Sequence, residues 1–167
     1  MKLTLSIVLL LLPPIGAHAQ APSIDRVDIV EYGLYTASAE RRPVAAPGTA
    51  TGTVTPLSNM QHAATTRTVP AQLGVRFGFG YIVVGAPLGT QVSIHSVTIF
   101  PSPGLRDPAS SQPKTRSEYD WSTTIGEQSF RIYTFDSDWE IVPGVWTQQL
   151  WYQGRMLAEQ KFTVVKQ

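Results

Sequence analysis

The chain contains no cysteine, three histidines and an almost balanced charge, with 13 Lys+Arg against 12 Asp+Glu in 167 residues. Lacking cysteine, it has no disulfide scaffold, no thiol nucleophile and no residue to lipidate at a processed N-terminus. The charge balance argues against nucleic acid as the main partner, because neutralising phosphates takes a basic patch. Catalytic signatures are missing as well: there is no G-x-S-x-G elbow, phosphate-binding Walker loop, H-E-x-x-H or histidine pair at metal spacing. These absences point away from an enzyme and from any cofactor. With 43% hydrophobic and 15% charged residues, the composition is that of a folded domain rather than a disordered chain.

Long apolar runs are also scarce. The one present, Leu3–Leu12, is interrupted only by Thr4 and Ser6, follows Lys2, and stops at Pro13-Pro14 before Ala17-His18-Ala19. A membrane span needs about 20 apolar residues. A basic start, a short apolar stretch and an A-x-A motif instead make residues 1–19 a secretory signal peptide cleaved between Ala19 and Gln20. The expected location is the periplasm or the medium, with no stable membrane insertion after cleavage. The remaining 148 residues carry equal numbers of basic and acidic side chains and only His62 and His95. A domain of about 150 residues can bury enough surface to stand without disulfides.

Residues 20–167 read as a single all-β domain, because windows of period-two alternation are bounded by Gly or Pro and no window sustains a helical period. Val75, Phe77, Phe79, Tyr81 and Val83 share one face of a strand, and Gly74, Gly78 and Gly80 take the other. Three glycines on one face imply a bulge or a neighbour packed close to the backbone. Strands are also expected over 24–35, with a bulge at Gly33, and over 92–100, 118–123 and 129–135. A closing hairpin pairs 146–152 with 156–165 across Gln153-Gly154-Arg155. Residues 36–68, rich in Ala, Thr, Pro and Gly, are expected to form a long irregular loop with a short edge strand near 61–69. Seven or eight short strands amount to a β-sandwich.

Few residues stand out as candidates for chemistry. His95, between Ser93 and Ser96, is the one base in a strong strand; it shares a face with Val97 and Ile99 and is read as a strand histidine rather than as part of a hidden hydrolase triad. Asp136, Asp138 and Glu140 alternate, which in an extended segment aligns three carboxylates. A solvated strand face is the simpler reading, with Ca²⁺ left as the alternative. The tryptophans are the most suggestive feature. Trp146, Leu150 and Tyr152 share a face and Trp151 takes the other, where it is either exposed or covered by loops. Trp121 and Trp151 are the candidate ligand or partner surface, since exposed aromatics stack on sugar rings or anchor proteins.

The run from Trp139 to Val165 resembles the closing strands of an immunoglobulin-like module, with Gly144-Val145-Trp146 where antibody domains keep a tyrosine corner. Together with Glu31-Tyr32-Gly33-Leu34-Tyr35, the Phe77–Gly80 run and Pro101-Ser102-Pro103-Gly104-Leu105, the chain resembles a family of small exported bacterial proteins grouped only as a domain of unknown function. The resemblance implies an immunoglobulin-like β-sandwich and supplies no activity, substrate or catalytic residue. The expected function is a non-enzymatic binding or interaction module for an unknown envelope protein or glycan. A carbohydrate-binding module using exposed tryptophans, or a hydrolase, are the alternatives.

Overall fold

In the computed structural model, which describes residues 21–40 and 42–166, alternating side chains lie on strands throughout and the one helical element is a short 3-10 turn. The signal segment, its Ala19–Gln20 cleavage point, Arg41 and Gln167 lie outside the described residues. Eleven strands follow in order: β1 Ser23–Glu40, β2 Val44–Ala45, β3 Thr53–Val54, β4 Leu57–Ala64, β5 Thr68–Pro70, β6 Arg76–Ala86, β7 Gln91–Ile99, β8 Arg116–Thr124, β9 Gln128–Thr134, β10 Gly144–Tyr152 and β11 Arg155–Val165. One sheet has the order β4-β1-β6-β9 and the other β5-β11-β10-β7-β8, while β2 and β3 form a small separate ribbon. All pairings are antiparallel except β5 with β11.

The core lies between the sheets, where Phe77, Phe79, Tyr81 and Val83 of β6 are buried as the alternation requires. Half of it is aliphatic and aromatic packing of Phe79, Tyr81 and Val83 against Ile94, Ile125 and Leu150. The other half is an aromatic cluster centred on Trp146, whose ring lies 4.9 Å from Phe100, 4.9 Å from Tyr133 and 5.7 Å from Phe77. Its indole N–H donates to the Val142 carbonyl at 2.8 Å, so a buried polar atom is satisfied. In a sandwich without a disulfide, this cluster is the joint between the layers. The closing hairpin forms as expected, with Trp146 opposite Phe162, but Arg155 already belongs to β11, so Gln153-Gly154 alone make the tip, and the register shifts between Leu150 and Trp151.

The strand count exceeds the expected seven or eight because residues 36–68 are not an irregular loop. β1 runs on to Glu40, pairing with β6 through its first half and with β4 through its second. The small and polar residues that read as loop suit β4, a sheet edge whose side chains are mostly exposed and need not be apolar. Gly33 itself pairs in register with Gly78; the register shifts of β1 fall at Asp25 and Val30 against β6 and, next to Gly33, between Leu34 and Tyr35 against β4. Gly33 has φ +139°, and a Cβ there would lie 1.8 Å from the Ala64 carbonyl oxygen, so close strand approach dictates the glycine. The face holding Gly78 and Gly80 has a comparable cause. A Cβ on Gly78 would lie 1.9 Å from the Arg131 carbonyl oxygen, and Tyr35 of β1 reaches across to Phe130 of β9, ring centres 6.0 Å apart. Gly74 precedes the strand rather than belonging to it.

Candidate functional site

Each sheet ends in an edge strand on the same side of the sandwich, β8 in one layer and β9 in the other. The register of β8 on β7 sets Trp121 opposite Ile94 and Tyr119 opposite Ser96, so Ser117, Tyr119, Trp121 and Thr123 take the inward row. In β9 the inward row is Ser129, Arg131 and Tyr133, with the same parity as the fully buried Phe135. The two rows meet at one end, where the Thr123 and Ser129 hydroxyls lie 2.5 Å apart. Further along, the segment between β2 and β3 caps the opening. The Glu118 N–H donates to the Gly48 carbonyl at 3.0 Å, the Ala50 N–H to Ser117 Oγ at 2.6 Å, and Lys114 Nζ to the Thr49 carbonyl at 2.6 Å.

Below that cap is a cavity of about 80 Å³ lined by Thr49, Thr51, Thr53, Ser117, Tyr119, Arg131, Tyr133, Asp136 and Glu140, among others. Two shallower grooves flank it. One, of about 280 Å³, runs between Val44–Gly48 and Glu118–Trp121, and the other, of about 240 Å³, between Val54–Leu57 and Phe130. Tyr119, Trp121 and Val54 line both grooves. Tyr119 and Trp121 meet edge to face at 6.4 Å, and Trp121 keeps 37% of its surface exposed, enough to contact a ligand.

The cavity wall holds two buried ionisable groups. Arg131 is 4% exposed; its guanidinium donates to the Thr98 hydroxyl and, at 3.0 Å, to its neighbour Ile132's carbonyl, while Nε has no hydrogen-bond partner. Glu140 is 1% exposed, accepts the Tyr133 hydroxyl at 2.6 Å through Oε2, and leaves Oε1 without a partner. Burial pushes the Glu140 carboxyl above its ordinary value, an effect opposed by the Tyr133 hydrogen bond and augmented by the charge of Asp136. The Tyr133 phenol is pushed up by burial and then by the Glu140 charge.

The structure separates the two tryptophans singled out as one surface. Trp121 is on the inward row of β8, whereas Trp151 is opposite His95 and Met156 on the outer face of the same sheet, half-buried, its indole N–H donating to Gln149 Oε1 at 3.0 Å. They cannot contact one ligand side by side, because the sheet lies between them. His95 sits on that outer face with Nδ1 3.0 Å from Asp120 Oδ1 and Nε2 3.6 Å from Glu118 Oε2. Both ring nitrogens face exposed carboxylates of β8, which places His95 in a cross-strand charge cluster on the outer face. Asp136, Asp138 and Glu140 do not share a strand face: Asp138–Glu140 is a 3-10 turn closed by Glu140 N–H to Ser137 O at 3.0 Å, and it carries Glu140 inward. The calcium alternative loses the alignment it rested on, and no cluster of three His, Cys, Asp or Glu among the described residues is arranged to hold a metal.

Sequence reading missed Arg131 and Tyr119, and singled out Glu140 only as one of three aligned carboxylates rather than as a buried group. The alternation in Ser129–Phe135 is ambiguous, since Phe130 and Ile132 compete with Tyr133 and Phe135 for the inward row. Only the continuation to Phe135, and the demand of the aromatic cluster for Tyr133, resolves it and turns the charged Arg131 inward.

Among the described residues no helix is long and apolar enough to cross a membrane. None of the curated proteins compared matches the chain. An immunoglobulin-like protein of Pseudomonas aeruginosa has a similar crystal structure, with a TM-score of 0.56 and 24% identity over 90% of this chain and all of that one, which establishes the immunoglobulin-like sandwich fold. Residues 24–164, nearly all of the described strands, match the model of the family described as domain of unknown function DUF3859, and the chain belongs to that family.

Proposed function

We propose that the chain is an exported, non-enzymatic binding module whose ligand occupies the cleft between β8 and β9. The observation that carries this reading is the cleft itself: a concave, tied-down opening with an aromatic pair, half-buried Tyr119 and exposed Trp121, at its mouth and hydroxyl and charged groups inside. Ligand sites are typically concave, with apolar walls and a few convergent polar groups. Export rests on the residues 1–19 pattern and predicts recovery from the periplasm or medium of a chain beginning at Gln20.

Of the two partner classes, the cleft favours a glycan over a protein. Tyr119 and Trp121 line the flanking grooves, one of which also holds Thr55, and so offer stacking and hydrogen bonding to a sugar ring, while Thr49, Thr51 and Thr53 line the adjoining cavity. The platform is Tyr119 with Trp121, and Trp151 has no part in it. The purified domain should bind members of a bacterial glycan array, and Trp121→Ala should remove that binding with the fold intact. An array on which the wild type is silent contradicts the glycan reading.

A further inference from the structure

We infer that the cavity beside Arg131 is a subsite for one carboxylate of an acidic ligand, the acid group of a uronic-acid type sugar whose ring lies against Tyr119 and Trp121. This inference rests on the cleft reading above and specifies its chemistry.

The first argument is the cost of the cation. A guanidinium withdrawn from water loses most of its hydration, and an unpaired buried charge is tolerated only with compensating partners. Arg131 has hydrogen bonds from its terminal nitrogens and lies over the Tyr119 ring, its central carbon 5.3 Å from the ring centre. Its Nε is buried without a partner, and none of the ion pairs found among the described residues includes it. Guanidinium groups present donors in a planar fork that matches a carboxylate.

The second argument is size. One water needs about 10–15 Å³ of such space, so about 80 Å³ admits a group of several heavy atoms and not a whole pyranose ring. The ring has room only in the flanking grooves, where Tyr119 and Trp121 stand. The third is charge. Asp136 and Glu140 line the same cavity, which disfavours a dianion such as sulfate or phosphate and leaves a monoanion as the fitting guest. Glu140, its carboxyl pushed up by burial and its Oε1 without a partner, offers an O–H to a bound carboxylate when it holds a proton.

Calorimetric titration of the domain from Gln20 with D-glucuronate, D-glucose and acetate tests the subsite, with the Arg131 Nε–H signal followed by NMR. D-glucuronate should bind at least tenfold more tightly than D-glucose and shift that signal, as should acetate at higher concentration. Arg131→Gln should bring D-glucuronate to the level of D-glucose. Equal, measurable affinity of the wild type for the two sugars, or an Nε–H signal unmoved by both saturating D-glucuronate and acetate, overturns the subsite while leaving the cleft reading in place; the latter measurement needs no variant and stands even if Arg131→Gln does not fold. Binding of acetate at Arg131 with no response to either sugar supports the carboxylate subsite and contradicts the glycan reading.

Discussion

The Arg131 guanidinium lies over the Tyr119 ring, 5.3 Å from its centre, and so joins the edge strands of two different sheets. A cation over an aromatic face contributes roughly 0.5–2 kcal/mol depending on how dry the contact is. A double-mutant cycle with Tyr119→Leu and Arg131→Met, read from urea midpoints, should give a coupling in that range. Additive effects show that the two edges are held by other contacts.

Trp146 is the joint of the aromatic half of the core, so Trp146→Ala should destabilise the domain by about 3–5 kcal/mol, through lost burial and the cavity left behind. Trp121→Ala, at a half-open cleft, should cost less than half of that. Comparable losses from the two in chemical denaturation contradict the assignment of one to the core and the other to the site.

Gly33 should not tolerate a side chain. Gly33→Ala combines φ +139° with a contact of 1.8 Å to backbone, and β1 and β4 must separate to relieve it. The expected loss exceeds about 2 kcal/mol, whereas Gly154→Ala at the hairpin tip, with nothing within 4 Å of a new Cβ, should show only the strain of its φ of +78°, about 1 kcal/mol. Thermal unfolding of the two variants gives the comparison directly.

Glu140 predicts a pH signature. Its folded-state pKa is raised, principally by burial, so the folded chain holds this proton over a range where the unfolded chain has released it. The contribution is therefore full below the ordinary value of 4.5 and lost as pH rises through the folded pKa. Glu140→Gln cannot lose it, and relative to the wild type it should gain stability between pH 4.5 and 7, by urea midpoint at each pH. A wild type that gains on the variant over that interval has the opposite linkage.

The legible part of the fold was the part where one sheet face is apolar. In β6 large residues alternate with small ones and the inward row followed directly from that pattern, while in β10 Trp146, Leu150 and Tyr152 mark the inward row despite the buried Gln148 among them. β4 was legible only in part, as an edge strand expected near 61–69 that in fact spans Leu57–Ala64, because an exposed edge strand is held by backbone hydrogen bonds to β1 and its side chains carry no pattern of burial. The candidate site was half legible. Trp121 drew notice for its type, but its partners come from β9 and the Thr49–Val54 segment, and only the pairing of edges from separate sheets brings Arg131 to Tyr119. Trp151 shows the limit of reading by residue type, since parity on two different strands decides which face of the sheet each tryptophan takes.

Amide NMR mapping of the best-bound array glycan on the isotopically labelled domain addresses the binding cleft most directly. The shifts should concentrate at Thr49–Val54, Tyr119, Trp121 and Arg131. A cluster of shifts at His95, Gln149 and Trp151 on the outer sheet face, with the cleft residues unmoved, would contradict the assignment.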